Sequence, residues 1–164
     1  MRTTSKLLIC ALLVIQAVMP AHAETAFRAE EFSLSLYGTG AIATEAREKE
    51  AISVGTGIGA DYFITKGFGI GARADLSDFS HSVIDRTSGR LTARAPLWDA
   101  VAPYGYVDGG FDFERDRWLA GTGGGIEARF NKRVGAFAEL GLEVNTRGKA
   151  TGRAAAGVRI PLGK

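Results

Sequence analysis

The sequence predicts an all-β protein, an eight-stranded antiparallel up-and-down transmembrane β-barrel behind a cleaved signal peptide. Three observations carry the prediction. From Phe32 to Leu162, apolar residues recur at every second position with glycine or a charged residue between them. A period of two belongs to strands whose faces meet different media. Most of these stretches run to about ten residues, which suits tilted spanning strands of about 9–11 residues better than the 5–6 usual in soluble sheets. A secretory signal stands ahead of them.

Residues 1–23 have the three parts of that signal: Arg2 and Lys6, an apolar run from Leu7 to Val18, and Ala21-His22-Ala23 as a small-x-small cleavage site. Cleavage is expected after Ala23. The run is too short to span a bilayer, and nothing later approaches about eighteen consecutive apolar residues, so any crossing must use strands. Cys10, the single cysteine, lies inside the run. Lipoprotein processing would require cleavage directly before it, implausibly early, so the exported chain is expected to have no thiol and no disulfide. Removing 23 of 164 residues leaves 141, enough for one small barrel. Without Arg2 and Lys6 the 20 basic residues become 18, against 18 acidic. This balance argues against nucleic acid as a partner, because phosphate binding needs a basic excess on one face.

Residues 24–31 are a polar lead-in, expected to be flexible, and 32–164 form the barrel domain. The first strand, 32–42, presents Phe32, Leu34 and Leu36 on its apolar face. The second, 51–63, presents Ile52, Val54, Ile58 and Tyr62, and the third, 68–77, presents Phe68, Ile70, Ala72 and Leu76. In 83–95 the face reads Leu91, Ala93, Ala95, and around 102–112 it reads Val107, Phe111, Phe113. Trp118, Ile126 and Phe130 mark 118–130, and Val134, Leu140, Leu142 and Val144 mark 134–145. The last strand, 150–162, carries Val158, Ile160 and Leu162. Connections alternate between polar loops, at 44–50, 78–82, 113–117 and 146–149, and tight turns at 64–67 and 131–133. With both termini in the periplasm the longer loops face outward, the usual arrangement of such barrels. The connection 96–101 is the exception, longer than a tight turn. The segments Phe63 to Ile70 and Phe130 to Ala136 share one plan: an aromatic strand end, a polar lysine turn, then a glycine-alternating strand. One hairpin geometry used twice is expected there.

The opposite face carries Arg73, Asp75, Arg94, Glu127, Arg129, Glu139, Glu143, Arg153 and Arg159, together with Ser33, Ser35, Asp61, Arg90, Asp108 and Asp112, separated by glycines. In a barrel of eight strands, wide enough only for side chains, these predict an interior ion-pair network and no open pore. A slip of one residue in the last strand would turn Arg153 and Arg159 toward lipid, at about 2–4 kcal/mol each near the midplane, so the register is firmly set. Phe32, Tyr62, Phe63, Phe68, Phe113, Trp118 and Phe130, at strand ends, are placed as interfacial girdles would be.

The glycine runs 55–59 and 121–125 raise the question of phosphate binding. A dinucleotide site needs a strand-to-helix turn, and no helical pattern follows either run, so no cofactor is expected. His81 adjoins Ser82, but neighbours in an extended segment point to opposite sides, so a hydrolase would have to recruit Ser77, Ser80 or Ser88. No cysteine or second histidine completes a transition-metal site after the signal, and Asp75 with Asp78 does not make a calcium loop.

With its signal peptide, glycine-alternating strands, the Ala102-Pro103-Tyr104-Gly105 opening of a middle strand and the final strand from Ala154 to Leu162, the chain resembles the small Gram-negative outer-membrane β-barrels of the OmpA/OmpX-like superfamily. The resemblance covers nearly all of the exported chain. It implies a structural, adhesive or host-interaction role, and less often an enzymatic one. Expected partners are outer-membrane lipid and lipopolysaccharide, the β-barrel assembly machinery during insertion, and an extracellular partner at the outer loops, for a protein acting as a monomer in the outer membrane. The chain departs from the family at Pro161-Leu162-Gly163-Lys164, where an aromatic residue is usual, and anchoring to peptidoglycan is not expected. Two other readings stand beside this one. A soluble periplasmic barrel of lipocalin-like build would turn the apolar face inward around a hydrophobic ligand, and a barrel lipid hydrolase would use His81. Glycine on the charged face favours the membrane barrel, since it saves space inside a narrow barrel but only weakens a solvated sheet.

Overall fold

A computed structural model describes residues 26–43, 52–76, 84–97 and 99–162. They form β1 (Glu31–Ala43), β2 (Ile52–Phe63), β3 (Phe68–Leu76), β4 (Arg86–Arg94), β5 (Val101–Asp112), β6 (Arg117–Asn131), β7 (Val134–Asn145) and β8 (Ala150–Leu162). Each strand pairs antiparallel with the next and β8 returns to β1, so the sheet closes into an eight-stranded barrel. Closure leaves no unpaired edge, which a membrane-crossing sheet requires. The strand bounds agree with the sequence expectation to within one residue except for β4, which starts at Arg86 and not near 83. Asp85 precedes it as a bend between neighbours, its amide donating to the Asp75 carbonyl at 3.0 Å and its carbonyl accepting from Phe113 at 2.8 Å. The signal segment, the first two long connections and the residues His81, Ser77, Ser80 and Ser82 lie outside the described residues.

The near rim holds the start of β1, the end of β8 and the turns β2–β3, β4–β5 and β6–β7; the far rim holds the other four connections. The repeated hairpin plan is a repeated geometry. Thr65 Oγ1 accepts from the amides of Gly67 and Phe68 at 3.2 and 3.0 Å, and Asn131 Oδ1 accepts from Arg133 and Val134 at 2.7 and 2.9 Å. In both turns a side-chain acceptor stands in for a ladder bond, as such residues do where the backbone reverses. Replacing Asn131 with alanine is expected to cost about 1 kcal/mol, since water can reach the freed amides. Urea unfolding in lipid vesicles would measure it.

The two faces sort as their alternation requires. Leu34, Leu36, Val54, Ile58, Ile70, Leu91, Val107, Ile126, Leu140, Leu142, Val158 and Ile160 are exposed on the outside, while the arginines and carboxylates of the other face are buried or, at Arg86, Asp108, Asp112 and Arg153, half-buried. This is the reverse of what a lipocalin-like barrel needs, and the structure overturns that reading. Phe32, Tyr62, Phe68 and Phe130 ring the near rim, and Phe113 and Trp118 stand at the far rim with Phe111 between them, each ring centroid 5.2 Å from that of Phe111.

One expectation is corrected. Phe63, placed with the girdle by its strand-end position, is 0% exposed and points into the lumen. Its parity explains why: Tyr62 faces out, so residue 63 must face in with Asp61. The described part of the lead-in, residues 26–30, belongs to no strand and makes contacts at the near mouth. Phe27 is 0% exposed, Ala26 is buried, and the Ala26 amide donates to the Asp99 carbonyl at 2.8 Å. The end of the β4–β5 connection meets both this segment and β6, since the Ala100 carbonyl accepts from the Arg129 amide at 2.7 Å.

Candidate functional site

Inward-facing residues of all eight strands meet in the lumen and stack in three tiers. The lower tier, by the near rim, holds Arg94, Arg129 and Arg159 with Glu31, Asp61 and Glu127. Glu127, 0% exposed, receives hydrogen bonds from both Arg129 Nε and Arg159, and Arg94 lies 3.9 Å away. Glu31 joins Arg94 and Arg129 at 3.2 and 2.6 Å, and Asp61 holds Arg159 at 3.1 Å. The middle tier sets Arg73 and Arg90 against Glu139 and Asp108. Arg73 donates to both oxygens of Glu139, at 2.7 and 3.2 Å, and Arg90 bridges Glu139 and Asp108 at 2.8 and 2.9 Å. The upper tier pairs Arg86 and Arg153 with Asp75 and Glu143: Arg153 lies 2.7 Å from Asp75 and 3.5 Å from Glu143, and Arg86 reaches both acids.

Cations and carboxylates are equal in number within every tier, which is the condition for keeping so many charges out of bulk water. All seven cations are arginine; the lysines at 66, 132 and 149 stand in turns. The planar guanidinium explains the choice, since it binds a carboxylate through two donors while stacking on a ring. Arg90 lies 3.6 Å from the Tyr106 ring centroid and Arg94 3.5 Å from that of Phe63.

Tyr37, Tyr104, Tyr106 and Phe137 form the only buried aromatic cluster among the described residues, at mid-lumen. Tyr104 donates to Glu139 at 2.9 Å and Tyr37 to Asp75 at 2.8 Å, so the rings link the tiers. Their room comes from glycine. A Cβ on Gly57 would sit 2.5 Å from the Tyr37 ring, one on Gly125 2.8 Å from Tyr104, and ones on Gly123 and Gly141 2.5 and 2.3 Å from the Tyr106 hydroxyl. Both glycine runs set aside as phosphate loops are thus parts of β2 and β6 over which tyrosines lie. Between the middle and upper tiers lies a cavity of about 20 Å³, lined by Tyr37, Arg73, Asp75, Arg90, Tyr106 and Glu139 among others. That is room for one or two water molecules.

The structure places every interior charge read from the sequence in this network except Asp112, which pairs with Arg117 at the far rim, and Asp75 is committed to Arg153, Arg86 and Tyr37. Missed were Glu31, Arg86 and the three tyrosines of the cluster; Phe137 lies on the charged face that the alternation of 134–144 gives it, with Glu139. Parity could have found most of the missed residues: Arg86 shares a face with Arg90, Tyr37 with Ser35, and Tyr104 and Tyr106 with Asp108. Of the serines considered for a hydrolase, Ser88 is described; it lies in β4 beside the upper tier.

A closed eight-stranded barrel, apolar without and filled with paired charge within, is the architecture of the small transmembrane β-barrels. No family model and no curated protein matches the chain. Solved structures do match. A de novo designed transmembrane β-barrel aligns at TM-score 0.61 and 12% identity, covering 82% of this chain and 98% of the design. The N-terminal β-barrel domain of OprF from Pseudomonas aeruginosa aligns at 0.56 and 15% identity, covering 79% of this chain and 97% of that domain. Ail, the attachment invasion locus protein of Yersinia pestis, aligns at 0.54 and 16% identity, covering 82% and 99%. The chain therefore has the fold of the small outer-membrane β-barrels.

Proposed function

We propose that the protein is a non-enzymatic, non-conducting monomeric barrel of the outer membrane, with its role carried at the far rim by the polar loops. The filled lumen supports this reading most directly. Three charge-balanced tiers fill the lumen, the cavity between the middle and upper tiers is about 20 Å³, and an ion crossing the barrel would have to break arginine–carboxylate pairs in each tier. The outside offers apolar side chains and aromatic rings to phospholipid on one leaflet and lipopolysaccharide on the other, and the assembly machinery is the partner during insertion. An extracellular partner would meet the four outer loops.

The test has two parts. The native protein reconstituted into planar bilayers is expected to show no conductance steps above background; sustained steps would overturn the sealed lumen. Cell fractionation is expected to recover it with outer membrane, running at a different position on gels when left unboiled. Recovery in the soluble periplasm would overturn the location.

A further inference from the structure

The near mouth is closed by chain that belongs to no strand. Before the first ladder pair, Glu31 with Phe63, residues 26–30 cross the opening. The Phe27 ring lies between two guanidinium groups, 4.9 Å from Arg94 and 5.1 Å from Arg129, and Arg94 is itself stacked on Phe63. Arg94 also donates to the Arg28 carbonyl at 3.2 Å, and Ala26 to Asp99 at 2.8 Å. Glu30, exposed, turns the segment from the wall across the mouth with a φ of 57°, a left-handed conformation that a residue other than glycine adopts only under local constraint.

These contacts involve no strand pairing of the barrel. Arg129 keeps Glu127 and Glu31, Arg94 keeps Glu31 and its bond to the Lys66 carbonyl, and no strand pairing is lost. A freed Phe27 would find the near-rim girdle of Phe32, Phe68 and Phe130 as an alternative apolar site. We propose that residues 26–30 are a latch hinged at Glu30. Seated, it seals the lower tier from water; released, it opens that tier at the near mouth while the barrel stays closed. The near mouth is periplasmic on the orientation argued above, but the latch does not depend on orientation and is tested in detergent micelles.

The readout is thiol reactivity in a Cys10→Ala background, so that an introduced cysteine is the only one. Ser33→Cys reports the lower tier, because Ser33 is 0% exposed just behind Glu31, and Lys66→Cys on an exposed turn is the reference. With the latch intact, the thiol at 33 is expected to react with methanethiosulfonate ethylammonium about a hundredfold slower than that at 66. Phe27→Ala should speed labelling at 33 about tenfold and leave 66 unchanged. Glu30→Val replaces an exposed residue by one that resists positive φ and should speed it about fivefold, whereas Glu30→Gly, which accepts that φ, should not. Gel mobility without boiling confirms that each variant is folded, and the Glu30 pair carries the test if Phe27→Ala does not fold. Equal reactivity of 33 and 66 in the native background would overturn the seal. Acceleration by Phe27→Ala without any by Glu30→Val would make Phe27 a static packing residue and overturn the latch.

Discussion

Replacing Glu127 with alanine should lower the stability of the barrel by about 3 kcal/mol, the lower end of the cost of removing one partner from a buried ion pair. Glu127 is 0% exposed and is the carboxylate shared by Arg129 and Arg159. Without it the lower tier keeps three arginines against Glu31 and Asp61. The loss falls short of the upper end because each arginine keeps one acid, Arg94 and Arg129 sharing Glu31 and Arg159 holding Asp61. Asp112→Ala is the control. Asp112 and Arg117 pair at 3.1 Å, with side chains 13% exposed, at the far rim where water can solvate the arginine left behind. That change should cost about 1 kcal/mol or less. Urea unfolding in phospholipid vesicles, followed by tryptophan fluorescence, compares the two. Equal costs would mean that the lower tier is wetter than its burial indicates, and the argument for a sealed lumen would fail with it.

The contrast between these two acids also marks how far the sequence could be read. Parity alone places Glu127 and Asp112 on the inner face, because a period of two is local and survives any uncertainty about the fold. Pairing is not local. Arg129 meets Glu31 across 98 positions and Arg159 meets Asp61 across 98. Which acid an arginine finds depends on the stagger of eight closed strands and on how far each side chain reaches across the lumen. The residues misplaced or missed are those where a local cue competed with parity. Phe63 looked interfacial because it ends a strand, and the interior tyrosines were eclipsed by the charges beside them. Phe27 had no periodic neighbours at all. Its ring meets Arg94 and Arg129, which are distant in sequence, and nothing in residues 24–31 signals that meeting.

Parity makes its strongest physical claim on the outer surface, and Leu140→Arg tests it. Leu140 stands midway along β7 and is 70% exposed. In a bilayer an arginine at that depth should cost about 3 kcal/mol, within the 2–4 found for basic residues near the midplane of membrane barrels. Arginine ordinarily softens this cost by laying its stem along apolar neighbours and carrying its charge to the interface. Here the cross-strand partners of residue 140 are Gly124 and Ala154, which offer little to lie on, so escape is confined to the path along β7 past Leu142. Val144→Arg places the same charge on the same strand near the far rim and should cost about 1 kcal/mol or less, because headgroups and water are within reach. A depth-dependent difference between the two, measured by urea unfolding in phosphatidylcholine vesicles, is the signature of a face that meets hydrocarbon. A face that met water would show almost no cost at either position. Such a result at Leu140 would remove the membrane from the explanation of why every second residue of this chain is apolar.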